Sequence, residues 1–239
     1  MKGLHILGID TSGKTASVAV TDDDKLLWEK TVYTRLTHSQ VILPMVSEAL
    51  KELELSFSDI DCAAIAKGPG SYTGLRIGCA AVKGMCMGQE SLKCIGISTL
   101  EALSFNCLPY SGRIAAAMFA RQGICYAGIY ESDGKQIRNI RPDEVIKEDE
   151  LFSSFDVSEG LMLVGDNAAA IKEKFFADDD RVLTAPISRR MQQASSLCLA
   201  AAAHIDEASS AEELSVSYLQ ATKAQKDKAH SENGKEDAK

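Results

Sequence analysis

The sequence predicts an α/β protein of two lobes that repeat one order of elements, βββαβα. Three β-rich runs separated by short polar turns stand near the start of the chain, and three more follow residue 110. Alternating helical and strand patterns follow each set. The 239 residues, 45% hydrophobic and 25% charged, are enough for two modest cores. We therefore expect lobes at residues 1–106 and 107–222.

The first lobe begins with an antiparallel meander, because turn residues such as Asp22-Asp23-Asp24 separate its runs. An amphipathic helix opens at Thr37 and contains Pro44, which should bend it. A capping box from Ser98 to Glu101 opens the last helix. The predicted strands are 3–10, 15–20, 26–34, 61–66 and 92–97.

The second lobe repeats this order with a turn at Ser132-Asp133-Gly134-Lys135. After Tyr218 the composition turns to Lys, Glu, Asp, Ala and Ser without an apolar face, which predicts a disordered charged tail at 223–239. The predicted strands are 113–119, 124–131, 136–141, 161–165 and 181–184, and the predicted helices are 143–155, 167–176 and 189–208.

Composition narrows the function classes. A formal net charge of −8 and a pI near 5.1 argue against a broad basic surface that grips nucleic acid. The seven cysteines include no C-x-x-C pair, which predicts reduced, buried thiols and no zinc site. No run reaches the roughly 20 apolar residues of a membrane span, and no secretory leader is evident. We expect a cytoplasmic protein.

Residues 68–88 are the most informative stretch, because a Gly-Pro-Gly elbow leads into a helix rich in small residues. Gly68 and Gly70 suit a tight turn, and Ser71 or Thr73 can cap the helix. Each interior glycine costs about 1 kcal/mol against alanine, so something should pack closely on the helix, either this chain or another. The small residues recurring at helical spacing are Gly74, Gly78, Ala81, Gly84 and Gly88.

Nucleotide binding is an alternative role for two segments. The elbow lacks the Lys-Ser/Thr pair of a P-loop, and its third glycine comes one residue late for a dinucleotide fingerprint. The helix start can still hold an anion. Asp10-Thr11-Ser12 ends the first strand, where sugar kinases and actin-like ATPases place groups near phosphate and magnesium, although such an Asp is also a common turn residue.

The sequence gives little support for a metal site or for a catalytic nucleophile. His38 has Ile42 four residues on, where a second ligand on the same helix face would lie. There is no G-x-S-x-G motif, and the histidines have no obvious Ser or Cys partner. Ser71 is the one serine whose setting invites a nucleophile hypothesis, and capping is the alternative.

Several segments together resemble the TsaB (YeaZ) family of the bacterial tRNA threonylcarbamoyladenosine system. They are GPGSYTGLRIG at 68–78, LGIDTS at 7–12, THSQVILPMV at 37–46, IGISTLEAL at 95–103 and YLQATKAQK at 218–226. The resemblance implies the actin-like ATPase (ASKHA, ribonuclease-H-like) fold. This sequence departs from the family pattern in the second lobe. Phe119 and Ile124 stand where family members have two carboxylate residues, while the Arg and Tyr of the same pattern are kept as Arg121 and Tyr126.

The resemblance implies a non-catalytic subunit that supports TsaD, the threonylcarbamoyl transferase, together with TsaE. It implies a homodimer when the protein is alone, indirect contact with tRNA, no membrane, no cofactor held by this subunit, and ATP and magnesium only at the level of the complex. A weak ATPase acting at Asp10, Thr11 and Ser12, or a glycoprotease-like peptidase, is the alternative. The interface residues expected from the small-residue strip and the resemblance are His38, Val41, Met45, Gly70, Ser71, Tyr72, Thr73, Gly74, Arg76, Gly78, Ala81 and Met85.

Overall fold

The structure, a computed structural model, describes residues 3–33, 35–89 and 91–219. Two five-stranded sheets carry helices on their faces. The segment predicted to be a disordered tail lies outside the described residues.

The first sheet has an antiparallel meander at one edge and two parallel strands at the other, in the order β3-β2-β1-β4-β5. Its central strands are buried along nearly their whole length because helices cover both faces. Its elements are β1 His5–Asp10, β2 Thr15–Asp22, β3 Lys25–Tyr33, α1 His38–Glu52, a 3₁₀ turn Phe57–Asp59, β4 Cys62–Gly68, α2 Tyr72–Met87, β5 Lys93–Ser98 and α3 Thr99–Phe105.

The second sheet has the order β10-β9-β6-β7-β8, so its three antiparallel and two parallel strands repeat the topology of the first. This duplicated order is that of the ribonuclease-H-like fold, and the predicted α/β, actin-like class is confirmed. The elements are β6 Ser111–Arg121, β7 Ile124–Asp133, β8 Ile137–Lys147, α4 Glu148–Phe152, β9 Leu161–Val164, α5 Ala168–Phe176, β10 Val182–Thr184, α6 Ala194–Ala203 and a 3₁₀ turn Ile205–Glu207.

Two predicted helices are shorter than expected. Residues 143–147 were expected to be helical, but they extend β8 and pair with β7, so α4 begins only at Glu148. Residues 189–193 are not helical because the side-chain amide of Asn106 donates to the carbonyls of Arg189 and Met191, both at 2.8 Å. Tertiary hydrogen bonds thus override local helical preference.

Helix α6 crosses back to the first sheet. Its Cys198 and Ala194 lie against β1, where a side chain on Gly8 would collide with both. The face of the first sheet opposite α1 and α2 is therefore covered in part by α6, a helix that follows the last strand of the second sheet in the chain. The predicted lobe boundaries divide the two sheets, while α6 lies in space with the first.

Candidate interaction surface

The elbow and the β1–β2 turn form one packed unit. The amide of Ser71 donates to the carbonyl of Ser12 at 2.7 Å, and the Thr11 hydroxyl donates to the carbonyl of Gly74 at 2.7 Å. Gly68 has a φ of +121°, a conformation that favours glycine. The predicted cap is present, since Ser71 Oγ accepts from the amide of Gly74 at 3.2 Å. The elbow therefore fixes the start of α2 against the turn that follows β1.

Gly74 and Gly78 make a close approach within the chain. A Cβ on Gly74 would collide with the carbonyl oxygen of Thr11, and one on Gly78 would lie 2.6 Å from Thr11 Oγ1. Both glycines are buried, as is Met45, which packs in the core beneath α1. An internal contact already covers each of these three residues, so their place in an interface between proteins stays a prediction that their burial does not support.

The remaining predicted interface residues reach the surface. Tyr72 is 40% exposed at the start of α2, and Leu43, which was not predicted, is 54% exposed on α1. A groove of about 310 Å³ runs between the two helices and is lined by Ser39, Ile42, Leu43, Ile77, Ala80 and Ala81. Ser71, Tyr72, Thr73 and Arg76 are exposed, and His38, Val41, Gly70, Ala81 and Met85 are half-buried.

Further along α2 the exposed face continues with small and apolar residues. Gly84 is exposed, and a Cβ built on it meets nothing within 4 Å. Met87 is 82% exposed. We call the surface formed by the groove, Tyr72, Arg76, Gly84 and Met87 the α1–α2 face.

Tyr218 completes one end of the α1–α2 face, which was not predicted. Its ring lies 5.0 Å from that of Tyr72, and its hydroxyl accepts from Nε of Arg76 at 3.0 Å. The guanidinium of Arg76 stands 4.1 Å above the Tyr72 ring. The backbone amide of Ser217 donates to the carbonyl of Lys67 at 2.7 Å, which holds this segment beside the elbow. The signal in the sequence was the matched run beginning at residue 218.

The predicted nucleotide residues are closed off from solvent. Asp10 is fully buried, and burial raises the pKa of its carboxyl. Its Oδ1 accepts from the amide and hydroxyl of Ser12, at 2.8 and 2.6 Å. The Thr11 hydroxyl donates to the carbonyl of Gly74 on α2, and the side-chain amide of Gln192 fills the space beside Gly13. Both hydroxyls of the turn therefore donate hydrogen bonds within the chain. This favours a structural role for Asp10-Thr11-Ser12 over nucleotide binding.

The second-lobe segment with the replaced carboxylates faces the same turn. Phe119 is 52% exposed, and its amide donates to Oδ1 of Asp166 at 2.8 Å. The other oxygen of Asp166 lies 3.5 Å from Nζ of Lys14 in the β1–β2 turn. A carboxylate from another element thus links the two lobes here.

Other chemistry-bearing groups are dispersed. In the described part of the chain, no three His, Cys, Asp or Glu side chains gather so that they could hold a metal ion. All seven cysteines are buried and free, and burial raises the pKa of five thiols to about 12, which makes them poor nucleophiles at neutral pH. None of the helices within the described ranges is long and apolar enough to cross a membrane.

Comparisons with known proteins agree on one family. The family model described as "TsaD: tRNA N6-adenosine threonylcarbamoyltransferase" matches residues 33–234. Proteins named "tRNA threonylcarbamoyladenosine biosynthesis protein TsaB" are similar: that of Bacillus subtilis is 32% identical over 141 residues, and that of Escherichia coli is 35% identical over 150. These alignments cover 59% and 62% of this chain and only 61% and 64% of the relatives.

The solved structure titled "YeaZ from Pseudomonas aeruginosa" superposes with a TM-score of 0.78 at 25% identity, covering 90% of this chain and 100% of that one. A structure described as having similarity to peptidase YEAZ, also from Pseudomonas aeruginosa, gives a TM-score of 0.79 at the same identity, with 91% and 100% covered. The chain therefore belongs to the family that the TsaD model describes, and the members that it resembles are the TsaB, or YeaZ, proteins.

Proposed function

We propose that this chain is a non-catalytic subunit that binds TsaD through the α1–α2 face and supports the formation of threonylcarbamoyladenosine in tRNA, with TsaE as a further component. The similarity to TsaB proteins supports a role in the biosynthesis of threonylcarbamoyladenosine in tRNA. The observation that carries the proposal is the open space beside Gly84. A glycine within a helix costs about 1 kcal/mol against alanine, and none of the described residues packs against Gly84 closely enough to require a glycine there.

The exposed small residues of α2 favour close packing by another protein. A bare exposed position beside an apolar groove lets a helix of another protein approach closely and gain dispersion contacts that a larger side chain would block. Gly74 and Gly78 are already used within the chain, whereas Ala80 and Gly84 are available on the outside. A second copy of this chain would compete for the same face when TsaD is absent.

The absence of catalysis is part of the same proposal. Ser71 caps α2, the thiols are buried with raised pKa values, and the Asp10 turn is internally hydrogen-bonded. The subunit would then act by binding and stabilising TsaD, while its partners hold ATP, magnesium and tRNA. Reconstituted modification of tRNA by TsaD and TsaE, with and without this chain, tests the dependence on this subunit.

The binding surface is tested by co-purification with TsaD. Gly84→Leu introduces bulk where the free protein has open space, so folding should persist and the complex should be lost. Ala203→Leu, at an exposed position on α6, is the matched control and should leave the complex intact. Normal binding by a folded Gly84→Leu variant would show that the α1–α2 face is not the contact.

A further inference from the structure

A cavity of about 600 Å³ lies on the face of the first sheet that α6 covers, away from the α1–α2 face. It is enclosed by β3, by the turn that follows α3 and by the first two turns of α6. Sites for small organic ligands have volumes of this order and combine apolar walls with a few polar groups. The apolar walls of this cavity are Leu26, Phe105, Leu108, Pro109 and Leu199.

A β-bulge turns Leu26 into this cavity. Leu26 and Trp28 pair with consecutive residues of β2, so Leu27 between them has no partner there. Because side chains alternate along a strand, a regular β3 would place Leu26 on the face of Trp28, whose indole donates to Glu52 of α1. The bulge instead places Leu26 beside Glu29 in the lining of the cavity. Bulges recur next to functional sites, where they redirect a side chain in this way.

Glu29 offers the cavity a fixed carboxylate with one oxygen available. Its Oε1 caps α6 by accepting from the amide and the hydroxyl of Ser195, at 2.9 and 2.8 Å. Within the described residues, Oε2 accepts no hydrogen bond and the carboxylate forms no ion pair. Asp24, which is exposed, adds a second negative charge to the lining. These carboxylates favour a ligand with an ammonium group, because hydrogen bonds between charged partners are stronger than those between neutral ones.

Arg189 brings the opposite charge to the same cavity. Its Nη1 donates to the carbonyl of Leu108 at 3.1 Å, and its own carbonyl accepts from the side-chain amide of Asn106 at 2.8 Å. In the part of the chain that the structure describes, its Nε and Nη2 have no acceptor and no carboxylate pairs with it. A guanidinium anchored beforehand loses less entropy when it binds a carboxylate through two parallel hydrogen bonds.

From this arrangement we infer that the cavity binds a small zwitterion with an apolar body, which is either a free amino acid or a short peptide of apolar residues. The ammonium group of the ligand binds Glu29, its carboxylate binds Arg189, and its side chains contact the apolar walls. A ligand with only one of the two charges leaves the other protein group without a partner, which gives the site its specificity. The inference is independent of the proposed function, because the cavity and the α1–α2 face lie on opposite faces of the first sheet.

The experiment measures dissociation constants by NMR, from the shifts of backbone amides around the cavity, for three probes. They are dileucine, N-acetyl-dileucine, which lacks the ammonium group, and dileucine amide, which lacks the carboxylate. Each modified probe should bind about tenfold more weakly than dileucine, because it loses a charged hydrogen bond. Leucine alone distinguishes the two sources: binding tighter than that of dileucine indicates a free amino acid, weaker binding indicates a peptide, and either order supports the zwitterion.

Variants assign each charge to its residue. Glu29→Gln keeps an acceptor for Ser195 and should remove the difference between dileucine and its acetylated form, whereas Arg189→Gln should remove the difference between dileucine and its amide. Leu199→Trp, at a position that is 37% exposed, fills the cavity and should block all three probes. Glu173→Gln, at an exposed carboxylate on α5, is the matched control.

Two results would overturn the inference. One is that dileucine at millimolar concentration shifts no amide around the cavity, or that all three probes bind the unaltered protein equally. The other is that Glu29→Gln and Arg189→Gln both leave the preference for dileucine intact, which would place the bound zwitterion elsewhere.

Discussion

Two glycines of α2 should respond to alanine with opposite signs. At Gly84 the new methyl group meets nothing within 4 Å, so Gly84→Ala only removes the backbone entropy cost of glycine in a helix. The expected gain is about 1 kcal/mol in the free energy of unfolding. For a chain of this size, that corresponds to a rise of about 2–4 °C in the melting temperature.

At Gly74 the same substitution meets the carbonyl oxygen of Thr11, which belongs to the turn between two core strands. Overpacking of a rigid contact costs typically 1–3 kcal/mol, and the shift would also disturb the 2.7 Å hydrogen bond from the Thr11 hydroxyl to the Gly74 carbonyl. The helix-propensity gain offsets only part of this cost. Gly74→Ala should therefore lower stability where Gly84→Ala raises it.

Urea unfolding of the isolated protein measures both variants. The single tryptophan, Trp28, lies on β3 with its indole donating to Glu52 at 2.8 Å, so its fluorescence reports on the first lobe. Midpoints should move in opposite directions while the slope of free energy against urea stays constant. A lower midpoint for Gly84→Ala would refute the interpretation of that position as an open surface, and an unchanged midpoint for Gly74→Ala would refute the internal contact.

Three further results are expected. Partial burial lowers the pKa of His204, but the hydrogen bonds and negative charges of Glu101, at 2.7 Å, and Glu207, at 3.0 Å, together outweigh this and raise the pKa above 6.5. The stabilisation is complete below pH 6.5 and is lost as pH rises through the raised value, so an NMR titration should show a lower pKa in Glu101→Gln. Tyr130→Phe removes a 2.5 Å donor from the half-buried carboxylate of Asp143 and should cost about 1–3 kcal/mol in urea unfolding, and unchanged stability would contradict this. Calorimetry with ATP and magnesium should show no binding to the isolated protein, because the hydroxyls of the β1–β2 turn donate internally; micromolar binding abolished by Asp10→Ala would contradict that expectation.

The order of elements could be predicted because each strand and helix of this fold carries its own periodicity and is bounded by turn residues. The meander before α1 is an example, with polar turns at 11–14 and 22–24. Residues 143–147 could not be predicted in the same way. Their extended conformation comes from pairing with β7 and from the Asp143 carboxylate, which accepts from Tyr130 and from Ser98 of the other lobe. Such contacts join residues that are far apart in sequence.

The candidate site shows the same limit on a single helix. Spacing alone grouped all the small residues of α2 into one strip, but Gly84 lies six positions after Gly78, which places the two about 120° apart around the helix axis. A Cβ on Gly78 would point at Thr11 inside the lobe, whereas a Cβ on Gly84 would point into open space. Only the position of the β1–β2 turn tells which glycines are consumed by folding and which remain for a partner. Substituting the first set therefore tests the fold, and substituting the second set tests association.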